Sequence, residues 1–197
     1  MRQRLEQLIQ REIDVQRSGG HGRLSFKMNA LEDGLIIKLL YQASQAGVSL
    51  DLIVRGACCL RPQMPGVSEN IRVISILGRF LEHSRIYYFR NNGAEKCYLG
   101  SADLMPRNLN RRVEVLFPVE RPQWIKRLKD EILHSCLHDE IGTRRMYKDA
   151  SYSTKSCRPG VTLRLGSRIS VLSGPSGRLM AARIEISESL QPRPVLC

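Results

Sequence analysis

The residues best suited to chemistry lie in residues 79–103, where one histidine, His83, stands among positively charged side chains. Those side chains are Arg79, Arg85, Arg90 and Lys96. Arginine offers a permanent charge and a fork of N–H donors, and histidine can give or take a proton near neutral pH. Together they suit the binding of a multiply charged anion such as phosphate. A histidine beside a strand is often only structural, so this pattern alone leaves both interpretations open.

The overall charge also points to an anionic partner. The 197-residue chain carries a formal net charge of +12, with a pI of about 9.9. A surface of that sign attracts nucleic acid, nucleotides, polyphosphate or lipid head groups. Binding of single-stranded nucleic acid would require aromatic stacking platforms among the basic residues. The aromatic cluster Tyr87-Tyr88-Phe89 lies instead in an apolar run, which is typical of a buried strand.

The cysteines and the apolar runs indicate in which cellular environment the protein is expected. Six cysteines contain no CxxC pair and no spacing typical of a disulfide framework, so we expect reduced thiols in the cytoplasm. The segment His134-x-Cys136-x-His138 would spread its ligands around a helix, and we predict no metal site. No apolar run approaches the about 20 residues that a transmembrane helix needs. Residues 1–13 are charged throughout, unlike a signal peptide.

Hydrophobic periodicity predicts the elements that must position these residues. Residues 1–17 have the pattern of an amphipathic helix. Strands are predicted at 23–28 and 49–54, around a helix that begins near Asn29 or Asp33 and ends at Gly47. A strand–helix–strand order is typical of a parallel βαβ unit. This unit places Lys27 and Arg55 at the carboxyl ends of neighbouring strands, where ligands bind in such sheets. The two cations could form an anion-binding site, or they could be two solvated charges at the edge of the sheet.

The remaining pattern continues as a mixture of strands and helices. Strands are predicted at 71–77, 86–89, 96–99 and within 112–119, with Asn91-Asn92-Gly93 as a hairpin turn. A helix is predicted at 122–137, and its buried side would consist of Trp124, Ile125, Leu128, Ile132 and Leu133. We predict a domain at 1–149 and, at 150–197, a basic, irregular and flexible tail with a possible strand or hairpin at 162–172.

Six short motifs recur along the chain in a recognisable order: Lys27-x-Asn29, Val54-Arg55-Gly56, Asn70-Ile71-Arg72, Leu81-Glu82-His83, Ser101-Ala102-Asp103 and Arg107-Asn108. In this order and at this spacing, they resemble the carboxy-terminal catalytic domain of polyphosphate kinase, an ATP-using family with a phosphohistidine mechanism. The resemblance runs from about residue 5 to residue 137. It implies an α/β class, with a phospholipase-D-like α/β/α sandwich around a mixed sheet.

The phospholipase-D signature itself is degenerate in this sequence. His83-x-Arg85 stands for its His-x-Lys part, and Arg90 stands where an aspartate would follow. A phosphodiester hydrolase that works as a dimer, with His83 supplied twice, is therefore the least favoured interpretation.

The resemblance implies that this part of the protein contributes to reversible transfer of the γ-phosphate of ATP to polyphosphate. His83 matches the family's second active-site histidine, a catalytic and phosphate-binding residue, and Arg55 matches an ATP-contacting arginine. Lys27, Arg72 and Arg107 are weaker candidates for the path of the phosphate chain, or else rim charges and structural ion pairs.

The resemblance also implies which parts of the reaction lie elsewhere. The phosphorylated histidine and the Mg²⁺ ligands are expected upstream, in a preceding domain or a companion chain, so we expect weak or no activity from this chain alone. The implied partners are ATP, ADP and polyphosphate, and the full-length family implies a homo-oligomer. The alternative function is a non-catalytic module that binds polyphosphate or nucleic acid by charge.

Overall fold

Two parallel strands and the helix between them form the centre of the molecule. The computed structural model describes residues 1–78, 81–139 and 142–154, together with strands at 168–173 and 179–185. Strand β1 (Arg23–Met28) pairs in parallel with β2 (Ser49–Val54), and Met28 lies opposite Val54. Helix α2 (Gly34–Gln45) joins them, and its cap is Asp33, whose side chain accepts a hydrogen bond from the Ile36 N–H. The predicted βαβ unit is confirmed.

Six further strands complete one mixed sheet. They are β3 (Ile71–Ile76), β4 (Arg85–Phe89), β5 (Lys96–Gly100), β6 (Leu116–Val119), β7 (Thr143–Met146) and β8 (Tyr152–Thr154). The spatial order of the eight strands is β6-β5-β4-β1-β2-β3-β7-β8. The pairings β1–β2 and β2–β3 are parallel, and the other pairings in this sheet are antiparallel.

Helices cover both faces of this sheet. Helix α1 (Arg2–Arg17) packs with α2 over one face, where the buried aromatic rings of Phe26, Tyr87 and Phe89 meet edge to face. Alternate side chains of the same strands point to the other face of the sheet. There Ile53, Ile74 and their neighbours form a second apolar cluster beneath the helical segment 122–138. The result is the expected α/β/α sandwich.

The helix at 122–138 differs from its predicted pattern. It consists of α4 (Pro122–Arg127), a π-helical segment (Leu128–Leu133) and α5 (His134–His138). Its inward residues include Leu128 and Leu133, which are five positions apart because the π segment has a wider turn. The prediction that Trp124 and Ile132 are buried is wrong, since they are 45% and 38% exposed.

A buried carboxylate fastens α1 to the sheet. Glu12 accepts hydrogen bonds from the Arg23 N–H at 3.0 Å and the Asn91 N–H at 2.6 Å. Burial raises the pKa of Glu12 above its ordinary value, although the two backbone N–H groups oppose that shift. Asn91 and Asn92 have positive φ angles, as the predicted Asn-Asn-Gly turn between β4 and β5 requires.

The carboxy-terminal stretch contains described strands as well as positions outside the description. Strand β8 extends the main sheet beyond residue 149, and β9 (Arg168–Ser173) pairs antiparallel with β10 (Leu179–Glu185) in a separate sheet. Residues 155–167, 174–178 and 186–197 lie outside the described residues. The flexibility predicted for 150–197 and the boundary at 149 therefore stay predictions.

Candidate active site

The carboxyl ends of β1, β2 and β5 meet at one edge of the sheet. The loops that follow them are joined by backbone hydrogen bonds, from Leu31 N–H to the Ala57 carbonyl at 2.9 Å and from Leu104 N–H to the Ala30 carbonyl at 3.1 Å. A Cβ at Gly56 would lie 2.9 Å from the Asn29 carbonyl oxygen, so this approach needs a glycine. These hydrogen-bonded loops support the side chains that lie at this edge of the sheet.

His83 lies exposed on the segment that leads into β4, and its ring contacts a single guanidinium group. Its Nδ1 lies 2.6 Å from Nη1 of Arg85, and its Nε2 lies 3.2 Å from Nη2. A guanidinium only donates, and one nitrogen of a neutral imidazole accepts. Only one of the two ring nitrogens can therefore accept a hydrogen bond from Arg85, and the ring is held against this guanidinium.

Arg85 is in turn held by a carboxylate. Its Nε and Nη2 donate to the two oxygens of Asp103 at 3.1 and 3.0 Å, a bidentate pair between two buried side chains. The Asn29 N–H also donates to Asp103 at 2.7 Å. Burial acts to raise the pKa of Asp103, but the hydrogen bonds from Arg85 and Asn29 outweigh it and hold this pKa below its ordinary value. The carboxylate therefore stays ionised at neutral pH.

Arg85 belongs to the basic group that the sequence places around His83, but Asp103 is not among the predicted site residues, and the pairing of the two was not predicted. Arg85 stands two positions after His83, where the degenerate signature has a lysine, and Asp103 ends the Ser101-Ala102-Asp103 motif. These two positions were the sequence features from which Arg85 and Asp103 could have been predicted as site residues. Their pairing joins segments 18 residues apart, so the sequence could not show that the two side chains neutralise each other.

Arg55 comes directly after β2, next to the end of β1, as predicted. Its carbonyl oxygen accepts a hydrogen bond from Ser75 Oγ at 3.1 Å, which fixes the backbone. Its half-buried guanidinium makes no hydrogen bond or ion pair with any other residue in the described parts of the chain. Nearby, the buried Nδ2 of Asn29 also has no partner among the described residues. The edge thus offers N–H donors that are not used within the described structure.

Lys27 occupies the predicted strand end but is neither solvated nor free. It is 5% exposed. Its Nζ lies 2.9 Å from Glu82 Oε2 and donates to Ser84 Oγ at 2.8 Å. Its ammonium group is therefore engaged with the segment that carries His83.

The other two candidates for the phosphate path lie apart from this group. Arg72, the second residue of β3, pairs through Nε with Asp51 at 2.8 Å, at the amino ends of the parallel strands. Arg107 lies exposed on α3 (Pro106–Asn110), four residues after Asp103. Arg79 of the basic group around His83 lies outside the described residues.

The described residues do not provide a metal site at this edge. Two of its carboxylates, Glu82 and Asp103, are paired with Lys27 and Arg85, and a third, Glu114, accepts hydrogen bonds from Ser101 Oγ and Asn108 Nδ2. Elsewhere the rings of His134 and His138 stack at 3.9 Å between centroids. In the described part of the chain, no group of three or more His, Cys, Asp or Glu side chains is arranged to hold a metal ion.

Comparison with known proteins agrees with the motifs and the fold. The family model for polyphosphate kinase C-terminal domain 2 matches residues 1–164. The polyphosphate kinase of Prosthecochloris aestuarii is 56% identical over 152 residues, which cover 77% of this chain and 21% of that protein. The polyphosphate kinase 1 of Chlorobaculum tepidum is 57% identical over 152 residues, covering 77% of this chain and 22% of its own length. The chain spans about a fifth of the length of these relatives.

Solved structures show the same relationship. The crystal structure of polyphosphate kinase from Porphyromonas gingivalis matches with a TM-score of 0.76 and 42% identity, over 83% of this chain and 25% of that one. NucT from Helicobacter pylori matches with a TM-score of 0.52 and 15% identity, over 69% of this chain and 88% of that one, and so supports the phospholipase-D-like fold alone. None of the described helices is long and apolar enough to cross a membrane. The chain therefore belongs to the polyphosphate kinase family, as a part that corresponds to its C-terminal domain 2.

Proposed function

We propose that this chain binds the phosphates of ATP and polyphosphate during reversible transfer of the γ-phosphate, as the C-terminal catalytic half-domain of a polyphosphate kinase. One observation carries the proposal. The guanidinium of Arg55, free of partners among the described residues, lies at the same sheet edge as His83, whose ring is held by Arg85. A free cation beside an oriented imidazole suits a phosphate group.

Each residue has a distinct role in this proposal. Arg55 donates N–H groups to phosphate oxygens and neutralises their charge, which is the main requirement of phosphoryl transfer. His83 uses a ring N–H to donate to the transferring phosphate or to protonate the leaving oxygen. Arg85 orients His83 and does not bind the ligand, because its charge is already balanced by Asp103.

The remaining parts of the reaction lie outside this chain in our proposal. No other histidine matches the family's phosphorylated residue, since His21 follows α1 in a glycine-rich turn and His134 and His138 belong to α5. Another domain of the protein, or a companion chain, supplies that nucleophile and the Mg²⁺ ligands. We expect a cytoplasmic homo-oligomer, with weak or no activity from this chain by itself.

The test is ATP binding to the purified chain, measured by isothermal titration calorimetry in the presence of Mg²⁺. We expect Arg55→Ala to weaken binding by about tenfold or more, the usual effect of losing charge-assisted hydrogen bonds. His83→Ala should weaken it less, because the imidazole contributes one hydrogen bond where the guanidinium of Arg55 contributes several.

The matched control is Arg121→Ala, which removes the same charge from an exposed position just after β6, at the opposite edge of the sheet. Its ATP affinity should equal that of the wild type. If Arg55→Ala and Arg121→Ala behave alike, the assignment of Arg55 to the site is wrong.

The second candidate is a non-catalytic module that binds polyphosphate or nucleic acid, and the net charge of +12 favours it. Binding by charge alone falls steeply with salt. It would also be insensitive to Arg55→Ala beyond the loss of one charge, which the Arg121→Ala control measures.

A further inference from the structure

We propose that Lys27 is a positioning residue, which fixes the segment that carries His83 and does not bind phosphate itself. The inference rests on the proposed role of His83 at the site. The sequence pattern places the Lys27 ammonium group at the end of β1, and it suggests for this group only the role of a phosphate ligand.

The geometry of the ammonium group is the first support. Lys27 Nζ donates to Ser84 Oγ at 2.8 Å and lies 2.9 Å from Glu82 Oε2. These two partners come immediately before and after His83 in the chain. One ammonium on the rigid strand β1 therefore holds both flanks of the histidine.

The burial of Lys27 is the second support. Its side chain is 6% exposed, while that of Glu82 is 43% exposed. A buried ammonium is costly unless it is paired and hydrogen-bonded, so this arrangement strongly favours a segment that stays in contact with it. Very little of the ammonium group is accessible to a polyanion approaching from solvent.

The segment itself has few other constraints. Residues 81–84 form neither helix nor strand, and their side chains are exposed. Arg85 restrains the imidazole ring from one side, and Lys27 restrains the residues on either side of it. Together they determine where Nε2 points, so that loss of Lys27 leaves a ring held by Arg85 on a loosened segment.

The experiment is nuclear magnetic resonance of the full chain, wild type and Lys27→Met. Long-range ¹H–¹⁵N spectra report the tautomer of each of the four histidines, with the His83 signals assigned by their loss in His83→Ala. We expect Lys27→Met to broaden the amide signals of residues 82–84 and to mix the two tautomers of His83. ATP affinity should fall as the ring loses its orientation, by no more than it falls in His83→Ala.

A second variant separates positioning from direct binding. Glu82→Ala/Ser84→Ala detaches the segment while it leaves Lys27 in place, and the amide spectrum of this variant shows whether the fold withstands the loss of both partners of the buried ammonium. If Lys27 acts through the segment, the double variant reproduces the spectra and the affinity loss of Lys27→Met. If Lys27 binds phosphate directly, the double variant keeps or gains affinity, and the inference is overturned.

The matched control is Lys129→Met, which removes a lysine paired with Glu95 at 2.7 Å on the π-helical segment. It should leave the His83 signals unchanged. Unchanged His83 and residue 82–84 signals in Lys27→Met would also overturn the inference. The spectra need no ligand, so a wild-type chain that fails to bind ATP would refute the proposed function and still test Lys27.

Discussion

Arg55 and Arg85 carry the same charge at the same sheet edge, yet they differ in what they can still bind. The donors of Arg85 are used by Asp103 and His83. Those of Arg55 have no partner in the described structure. This difference decides which arginine can bind a ligand, and it depends on Asp103 staying ionised.

The role of Asp103 can be tested through stability. Asp103→Asn removes the charge opposite the buried Arg85, and breaking such a pair should lower the free energy of unfolding by about 3 kcal/mol. The pKa of Asp103 is below its ordinary value of 3.8, so the contribution is present above that pH and is lost only as the pH falls through the lowered pKa.

Urea unfolding at pH 7 and at about pH 3 gives the measurement. The difference between wild type and Asp103→Asn should be smaller at the lower pH, where the carboxyl group of the unfolded chain is already protonated. A difference that is the same at both values would mean that the pKa of Asp103 is not lowered.

The site residues predicted from the sequence share a limit at this scale. His83 and Arg55 could be located because they lie in motifs at strand ends. The sequence could not show that the ammonium group of Lys27 is paired, because its hydrogen-bond partner Ser84 is 57 residues away along the chain. Whether a cation is free or paired depends on such long-range contacts, which composition and local spacing do not contain.

At the scale of elements, α1 is fastened to the sheet through Glu12 as well as through apolar packing. Its carboxylate serves the N–H groups of Arg23 and Asn91, so it ties the start of β1 to the turn after β4.

Replacement of Glu12 tests that connection. Glu12→Ala would leave two backbone N–H groups without their acceptor, and each costs about 1–3 kcal/mol when buried. We expect a loss of about 2–4 kcal/mol in the free energy of unfolding, measured with urea.

Glu12→Gln keeps one acceptor oxygen and should lose about half as much. If both variants lose the same amount, the charge of Glu12 and not its two hydrogen bonds accounts for the effect.

Most elements could be predicted because apolar residues alternate or recur at helical spacing, and the bounds of β1 and β2 agree with that pattern. Which residues of the helix at 122–138 face inward could not be predicted. Ile132 and Leu133 are adjacent and both apolar, so either could face inward, and the π segment selects Leu133.

At the scale of the whole molecule, positive charge is spread over both parts of the sequence. Residues 155–197 contain seven Lys and Arg against two Glu. Since charge attracts polyphosphate without a shaped site, this stretch and the proposed site should contribute to binding in different ways.

Truncation after residue 154 should separate the two contributions. We expect ATP affinity to stay within about twofold, while polyphosphate affinity at low salt falls and its dependence on salt becomes less steep. The measurement is a titration at several salt concentrations. A truncated chain that loses ATP binding would place part of the site beyond residue 154.

The π-helical segment also bears on how this sequence can change in length. Its inward residues Leu128 and Leu133 are one position farther apart than in an α-helix, so deletion of one codon between them restores ordinary helical spacing and keeps both residues inward. A one-codon deletion within β1 would instead turn the side chains beyond it to the opposite face of the sheet. Related genes should therefore differ by single-codon gaps in this helix and not in the central strands.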